Sequence, residues 1–281
     1  MTKPYKTRAV ALLKKVLKED NGTIVSIKDI HNGYTNLSYL VTYTNGKMYQ
    51  VRFPHDEIKD LLNRKNEYSV MKLLGSDKYF PYFDPKTGVA VKQWIPGSYV
   101  KIHKWRKWKY TDELFSLIKN IHKAKVNLKK IPLHKVNFDS YNENLHLLKL
   151  EYQTKFLSII DTYRDEVMVL NHTDINPLNI IMDKGKRLHL IDYEWCGLAS
   201  DYWDYANFIR ESRIRYDHIE WNKYIDNFNM LKLQDFIFAC SVYAYLWTFV
   251  MPDSKKIRKY RKTTLRQVKW YGRKVINNGN K

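Results

Sequence analysis

The 281-residue sequence is 44% hydrophobic and 28% charged and carries a formal net charge of +20. The length admits one large domain or two small ones, and the ordinary apolar share excludes wholesale disorder. Sixteen of the twenty excess charges lie in two acid-free segments, residues 101–109 and 255–281, so the other 33 basic and 29 acidic residues nearly balance and a uniformly basic, histone-like chain is excluded.

Residues 8–18 place Ala9, Leu12, Leu13, Val16 and Leu17 on one face of a short amphipathic helix. Three strands rich in Val, Ile, Thr and Tyr follow at 23–30, 37–44 and 48–53, the last two joined by the hairpin signal Asn45-Gly46. A helical pattern over 58–74 leads to a strand-like stretch, 88–95, stopped by Pro96-Gly97. Beyond it the pattern is mainly helical: 111–125, 141–156, 202–212, 218–229, 233–250 and 255–276. An island of short strands at 167–171, 179–183 and 188–192 interrupts it. The expected organisation is α+β, with a small β-rich lobe over residues 1–97 and a larger, mostly helical lobe over 98–281. A cleft between two such lobes is the usual ligand site.

The two cysteines, Cys196 and Cys240, sit in neither a CxxC pair nor a zinc spacing, which makes a reducing cytoplasm the default. The first twenty residues contain no long apolar run, so no signal peptide is expected. Residues 236–251 form a 16-residue uncharged run. That is shorter than the roughly 18–20 residues a membrane-spanning helix needs, and a buried helix is the expectation.

Residues 171–207 carry the chemistry. Asp174 and Asn179 stand five apart on a loop between short strands, and Asp192 ends the next strand pair, with Glu194 two residues on. Oxygen ligands converging from two strand ends form a hard-cation site suited to magnesium and phosphate. A carboxylate on the preceding loop is placed to accept a hydroxyl proton. The order His-x-Asp-x-x-x-x-Asn followed by a later Asp is that of kinase-class phosphoryl transfer. A lone Asp-x-x-x-x-Asn is weak, because Asp, Asn and Pro are common turn formers. The joint pattern of His172, Asp174, Asn179 and a strand ending in Ile-Asp-x-Glu is far more specific.

With these residues the sequence resembles the choline/ethanolamine kinases, LicA-type bacterial choline kinases among them, within the aminoglycoside phosphotransferase and protein-kinase-like superfamily. The resemblance runs from about residue 24 to 272 and implies a bilobal, protein-kinase-like α+β fold. In the first lobe Gly33, Thr35 and Asn36 are similar to the family's nucleotide loop, Arg52 stands at its basic phosphate-contacting position, and Glu67 at the helix position that pairs with that base. Gln93, Trp94 and Ile95 look like the hinge beside the adenine. In the second lobe the resemblance makes Asp174 the catalytic base or the residue that orients the substrate hydroxyl, and Asn179 and Asp192 the magnesium ligands, with Glu194 supporting the metals through water. His172 fixes the catalytic loop rather than transferring protons. Asp204 anchors that loop from the following helix, and Asn207 follows at the family's spacing.

Residues 192–220 hold seven acidic and three basic residues, which favours a cationic substrate. A quaternary ammonium needs aromatic faces and an acidic partner, since it has no hydrogen to donate. The resemblance assigns this role to Glu211, Tyr216 and Trp247, with Tyr260 closing the cage. The family often has Trp-x-x-Trp here. This chain has Ala244 three residues before Trp247, with Tyr243 and Tyr245 flanking it as candidate replacements. The expected activity is ATP- and magnesium-dependent phosphorylation of choline, ethanolamine or a similar amino alcohol. Two alternatives remain open at the sequence: an aminoglycoside-type kinase, and a non-enzymatic binder of anionic surfaces or nucleic acid that uses the basic 255–276 helix. The expectation is no specific nucleic acid and at most a weak contact with an anionic membrane.

Overall fold

A computed structural model describes residues 3–17, 22–30, 34–106, 108–126, 133, 135–136 and 138–278. By contacts the chain divides into two compact units: Met1–Ser98 with Asp183–Gly185 and Tyr193–Trp195, and Tyr99–Met182 with Lys186–Asp192 and Cys196–Lys281.

Unit 1 is a five-stranded antiparallel sheet with two helices. Helix α1 (Lys3–Val16) precedes β1 (Ile24–Ile30), β2 (Asn36–Tyr43) and β3 (Met48–Pro54). After helix α2 (Arg64–Leu73) come β4 (Tyr82–Phe83) and β5 (Ala90–Gln93), and the sheet order is β1-β2-β3-β5-β4. The β2–β3 hairpin turns where Asn45-Gly46 predicts it. Gly46 takes φ +79, a left-handed conformation that glycine adopts without a Cβ clash, and the Tyr43 amide donates to Lys47 O at 2.9 Å. Alternate residues of the central strands, Tyr39, Val41, Val51 and Phe53, face Ala9 and Leu13 of α1 in one core. Full burial of each such large side chain contributes about 1.5–3 kcal/mol.

The predicted 58–74 helix is two pieces, a 3-10 turn Asp56–Leu61 and then α2. The break falls at extended Asn63, whose side chain accepts from the Asn66 amide at 3.0 Å and caps the new helix.

The chain enters unit 2 through the short strand β6 (Gly97–Tyr99). Helices α3 (Trp108–His122) and α4 (Leu150–Thr162) precede β7 (Val169–Asn171), β8 (Ile180–Asp183), β9 (Leu188–Leu190) and β10 (Gly197–Ala199). Strand β7 pairs antiparallel with β10, and β8 forms a hairpin with β9. Three helices finish the unit: α5 (Trp203–Ser212), α6 (Met230–Val250) and α7 (Lys255–Asn278). The α+β class expected from the pattern is the class observed.

Helix α6 is longer than the uncharged run inside it. At 21 residues it meets the length and apolarity of a membrane span, yet 67% of its apolar window is buried within the protein. It is apolar all round because neighbours cover it on several sides. Two other segments depart from their helical patterns. Residues 138–147 form 3-10 turns kinked at Tyr141, and α4 starts only after extended Lys149. In 218–229 only the turn Trp221–Lys223 is helical, and Asn227 is left-handed at φ +53. Its Ile219, Trp221, Tyr224 and Ile225 are buried by packing, Trp221 against Phe115 and Phe228, rather than on a helix face.

Candidate active site

Strand β7 delivers the chain to His172 and Thr173, and the first turn of α5 grips the backbone there. Asp204 is fully buried, and its carboxylate accepts from the His172 amide at 2.9 Å and the Thr173 amide at 2.7 Å. His122 of α3 reaches the same carboxylate at 3.3 Å. The neighbouring Trp203 indole donates to Thr173 O at 3.2 Å. Thr173 has φ +63, a strained conformation for a β-branched residue, which these bonds over-determine.

The His172 ring is buried, with Nε2 3.0 Å from Ile191 O. A carbonyl only accepts, so Nε2 carries the proton. Burial lowers the imidazole's pKa below the usual histidine value against the opposing pull of Asp204. At neutral pH the ring is a neutral strut between the loop and the residue before Asp192.

Asp174 is half-buried at the loop's tip. Its Oδ2 accepts from Asn179 Nδ2 at 2.8 Å and its Oδ1 from Asn176 Nδ2 at 3.1 Å. Asn176 also caps the 3-10 turn Pro177–Asn179 by accepting from the Leu178 amide. Asn179 O accepts from the Ile191 amide at 3.0 Å, which fixes the backbone beside Asp192, itself left-handed at φ +70. Because the Asn179 amide nitrogen bonds Asp174, its Oδ1 is the side-chain oxygen left to coordinate. Among the described residues no group of three or more His, Cys, Asp or Glu is gathered to hold a metal. The fit is to a hard cation that takes an amide oxygen, a carboxylate and substrate phosphates. That is how magnesium is usually held, rather than in an all-protein cage.

Residues assigned to the acceptor converge at α5, α6 and α7. The Tyr260 hydroxyl donates to Glu211 Oε1 at 2.6 Å, and the Tyr260 ring stands edge-on to Trp247 at 6.2 Å. Burial raises the Tyr260 pKa, so the phenol stays protonated and can donate. Tyr216 is half-buried, with Lys274 5.9 Å from its ring. Tyr243 and Tyr245 are not part of this group, a correction to their reading as stand-ins for a second tryptophan. Tyr243 packs against Tyr141 and Trp203, and Tyr245 against Phe249.

Sequence reasoning missed Arg210. It is buried at 3% exposure with Nη1 2.8 Å from Glu211 Oε1, and it donates to Asn207, Tyr260 and Gln267. Burial alone would lower its pKa, but Tyr260 and Glu211 outweigh burial and the guanidinium stays charged. Asn207 in turn donates to Ile175 O at 3.2 Å. A hydrogen-bonded path therefore runs from the Asp174 loop to Glu211. Its only sequence signal was adjacency to Glu211.

In unit 1 a second network joins four buried charges. Arg52 grips Glu67 with two bonds, of 2.7 and 3.1 Å, and its Nε donates to Gly88 O. Arg64, one helical turn before Glu67, bonds both Glu67 at 2.8 Å and Glu194 at 2.9 Å. Thr35 donates to Glu194 Oε1 at 2.5 Å and Asn36 to Oε2 at 2.9 Å. Burial would raise the Glu67 pKa, but Arg52 and Arg64 reverse this and hold it below the usual glutamate value. Glu194, assigned to the metals by resemblance, already takes Thr35, Asn36 and Arg64 as donors. Arg64 was legible only as the i,i+3 neighbour of Glu67. Gln93 is exposed at the end of β5, Trp94 and Ile95 are half-buried, and the Trp94 amide donates to Met48 O. Gly33 lies outside the described residues.

Comparison with known proteins follows the same lines. The sequence model of the choline/ethanolamine kinase family matches residues 92–243, more than half of the chain. The MG356 homolog of Mycoplasma pneumoniae is 27% identical over 96% of this chain and 94% of its own. Among solved structures, choline kinase LicA from Streptococcus pneumoniae superposes with a TM-score of 0.74 at 19% identity, covering 94% of this chain and all of LicA. The Plasmodium vivax ethanolamine kinase gives 0.68 at 17% identity over 86% and 82% of the two chains.

Proposed function

Since the chain belongs to the choline/ethanolamine kinase family and is a small-molecule phosphotransferase, we propose that it moves the terminal phosphoryl group of ATP to the hydroxyl of choline or a similar amino alcohol, with magnesium, in the cytoplasm. We further take residues 1–97 as the nucleotide-binding lobe and 98–281 as the catalytic lobe. The carrying observation is the Asp174 loop, clamped by Asp204 and bonded to Asn179.

In this reading the substrate hydroxyl oxygen attacks the terminal phosphorus and a new P–O bond forms. The bridging P–O bond breaks and ADP leaves. Asp174 takes the hydroxyl proton, held in place by the amides of Asn176 and Asn179. Asn179 and Asp192 would hold magnesium, which neutralises charge on the phosphates when bound. Thr35, Asn36, Gly33 and the 93–95 strand end serve the nucleotide. Arg52, aligned by its bonds to Glu67 and Gly88 O, takes the phosphate-contacting role that the family assigns to its position.

The acceptor's cationic end is assigned to Trp247, Tyr260, Tyr216 and Glu211. Arg210 and Tyr260 already engage Glu211 Oε1, so Oε2 carries the attraction for the substrate. One tryptophan face with two tyrosines gives a quaternary ammonium fewer aromatic walls than a full cage. Ethanolamine, which can donate hydrogen bonds, therefore stands beside choline as a substrate.

A coupled ATP-consumption assay over choline, ethanolamine and an aminoglycoside tests this, with Asp174→Ala as control. Turnover of choline or ethanolamine that Asp174→Ala abolishes is expected. Turnover of the aminoglycoside alone would replace the acceptor assignment.

A further inference from the structure

Helix α7 has two faces with different roles. Its inner stripe, including Ile257, Thr264, Val268, Tyr271 and Val275, is buried in unit 2. Gly272 belongs to the same stripe: a Cβ there would stand 2.7 Å from the Tyr152 ring, so α7 is pressed close to its neighbours. The apolar stripe that could insert into a bilayer is therefore occupied by the protein's own core. The outer face carries nine exposed lysines and arginines from Lys255 to Lys274, and the helix contains no acidic residue. At 3.6 residues per turn they fall within an arc of about 160° along a helix roughly 36 Å long. Among the described residues, Lys262, Arg266 and Lys269 make no ion pair. Trp270 stands among them, 62% exposed, with Lys274 5.4 Å from its ring.

We propose that the outer face of α7 is a docking surface for an anionic lipid bilayer, which holds the enzyme at the membrane surface by charge with Trp270 at the headgroup level. A straight, one-sided row of cations complements a flat sheet of anionic headgroups. An exposed tryptophan beside basic residues suits the interface, where its apolar ring and polar N–H are both accommodated. Nucleic acid fits this face less well. Single strands need successive aromatic platforms where this face offers one, and duplex DNA is the competing occupant that the test below separates. Lys274 borders Tyr216 of the assigned acceptor site, whereas Lys262, Arg266 and Lys269 are none of the residues assigned to acceptor, nucleotide or metal.

The test is co-sedimentation of the full chain with phosphatidylcholine vesicles, with and without phosphatidylglycerol, at low and high salt. Binding only to the phosphatidylglycerol vesicles, released by high salt, is expected. The triple variant Lys262→Gln/Arg266→Gln/Lys269→Gln is expected to weaken partition about a hundredfold, from roughly fivefold per charge. Trp270→Phe is expected to remove a vesicle-induced fluorescence shift. Phosphorylation of soluble acceptor and the thermal unfolding of the triple variant report that it is folded. Absent binding, equal binding to neutral vesicles, or a folded triple variant that binds as before would overturn the proposal. Tighter binding to a DNA duplex or single strand than to anionic vesicles at the same salt would also overturn it and transfer the surface to nucleic acid.

Discussion

Asp204 Oδ1 accepts a hydrogen bond from the Thr173 amide at 2.7 Å, across 31 residues of chain. That bond and its partner to the His172 amide tie the first turn of α5 to the loop that presents Asp174. Asp204→Ala removes the acceptor from two amides. A buried donor left without a partner costs about 1–3 kcal/mol. We expect a lower melting temperature together with a fall in kcat of about tenfold or more, because positioning of Asp174 is lost. Thermal unfolding and steady-state kinetics on one preparation check both.

Asp174→Asn keeps the side chain's size and removes its charge. If Asp174 is the base, kcat falls by about 10²–10⁴ while KM for the alcohol stays near its starting value. Steady-state kinetics with saturating ATP measure this. A residual rate within a few-fold of the parent would remove Asp174 from proton transfer.

Trp247→Ala removes one aromatic face from the proposed cation site. A cation–π contact of about 0.5–2 kcal/mol corresponds to a rise in KM for choline of roughly 3–30-fold. Tyr260→Phe keeps the ring and removes the hydroxyl that donates to Glu211 Oε1 and accepts from Arg210. Its expected effect is a smaller KM change for choline. Comparing the two variants separates ring stacking from carboxylate alignment.

The Glu67 carboxyl is held below its ordinary value of 4.5 in the folded protein. The unfolded chain therefore binds the proton more readily, and stability rises with pH in this range. The contribution of Glu67 is fully present above about 4.5 and is lost as pH falls through the lower folded value. Urea unfolding as a function of pH should show an acid limb that flattens in Glu67→Gln. His172 acts in a higher window. Its folded pKa lies below 6.5, so protonation of the unfolded chain weakens the fold as pH drops below 6.5. Arg64→Met leaves Glu67 and Glu194 short of a buried cation, and a loss of about 3–5 kcal/mol is expected in the same unfolding assay.

The β2–β3 hairpin was readable because alternation and Asn-Gly are local signals, and α7 because its stripe from Ile257 to Val275 repeats over about five turns. Residues 218–229 were misread for a physical reason: Ile219, Trp221, Tyr224 and Ile225 are buried at spacings a helix would also produce, but turns and aromatic packing place them. The pairing of Asp174 with Asn179 was legible because the two residues lie five apart on one short loop. Arg210 and Arg64 were not. Their roles depend on partners such as Gln267 and Glu194, 57 and 130 residues away in the chain, and no local pattern encodes such a meeting.

The clamp on the Asp174 loop touches residues 172 and 173 through their amides and the Thr173 carbonyl. Every residue except proline offers those groups. A library at position 173 should therefore tolerate side chains of many kinds, with glycine and asparagine favoured by the left-handed backbone and proline rejected. A library at position 204 should tolerate almost none. Invariance would then fall on a helix residue 30 positions from Asp174 in the chain, and variability on the residue next to Asp174.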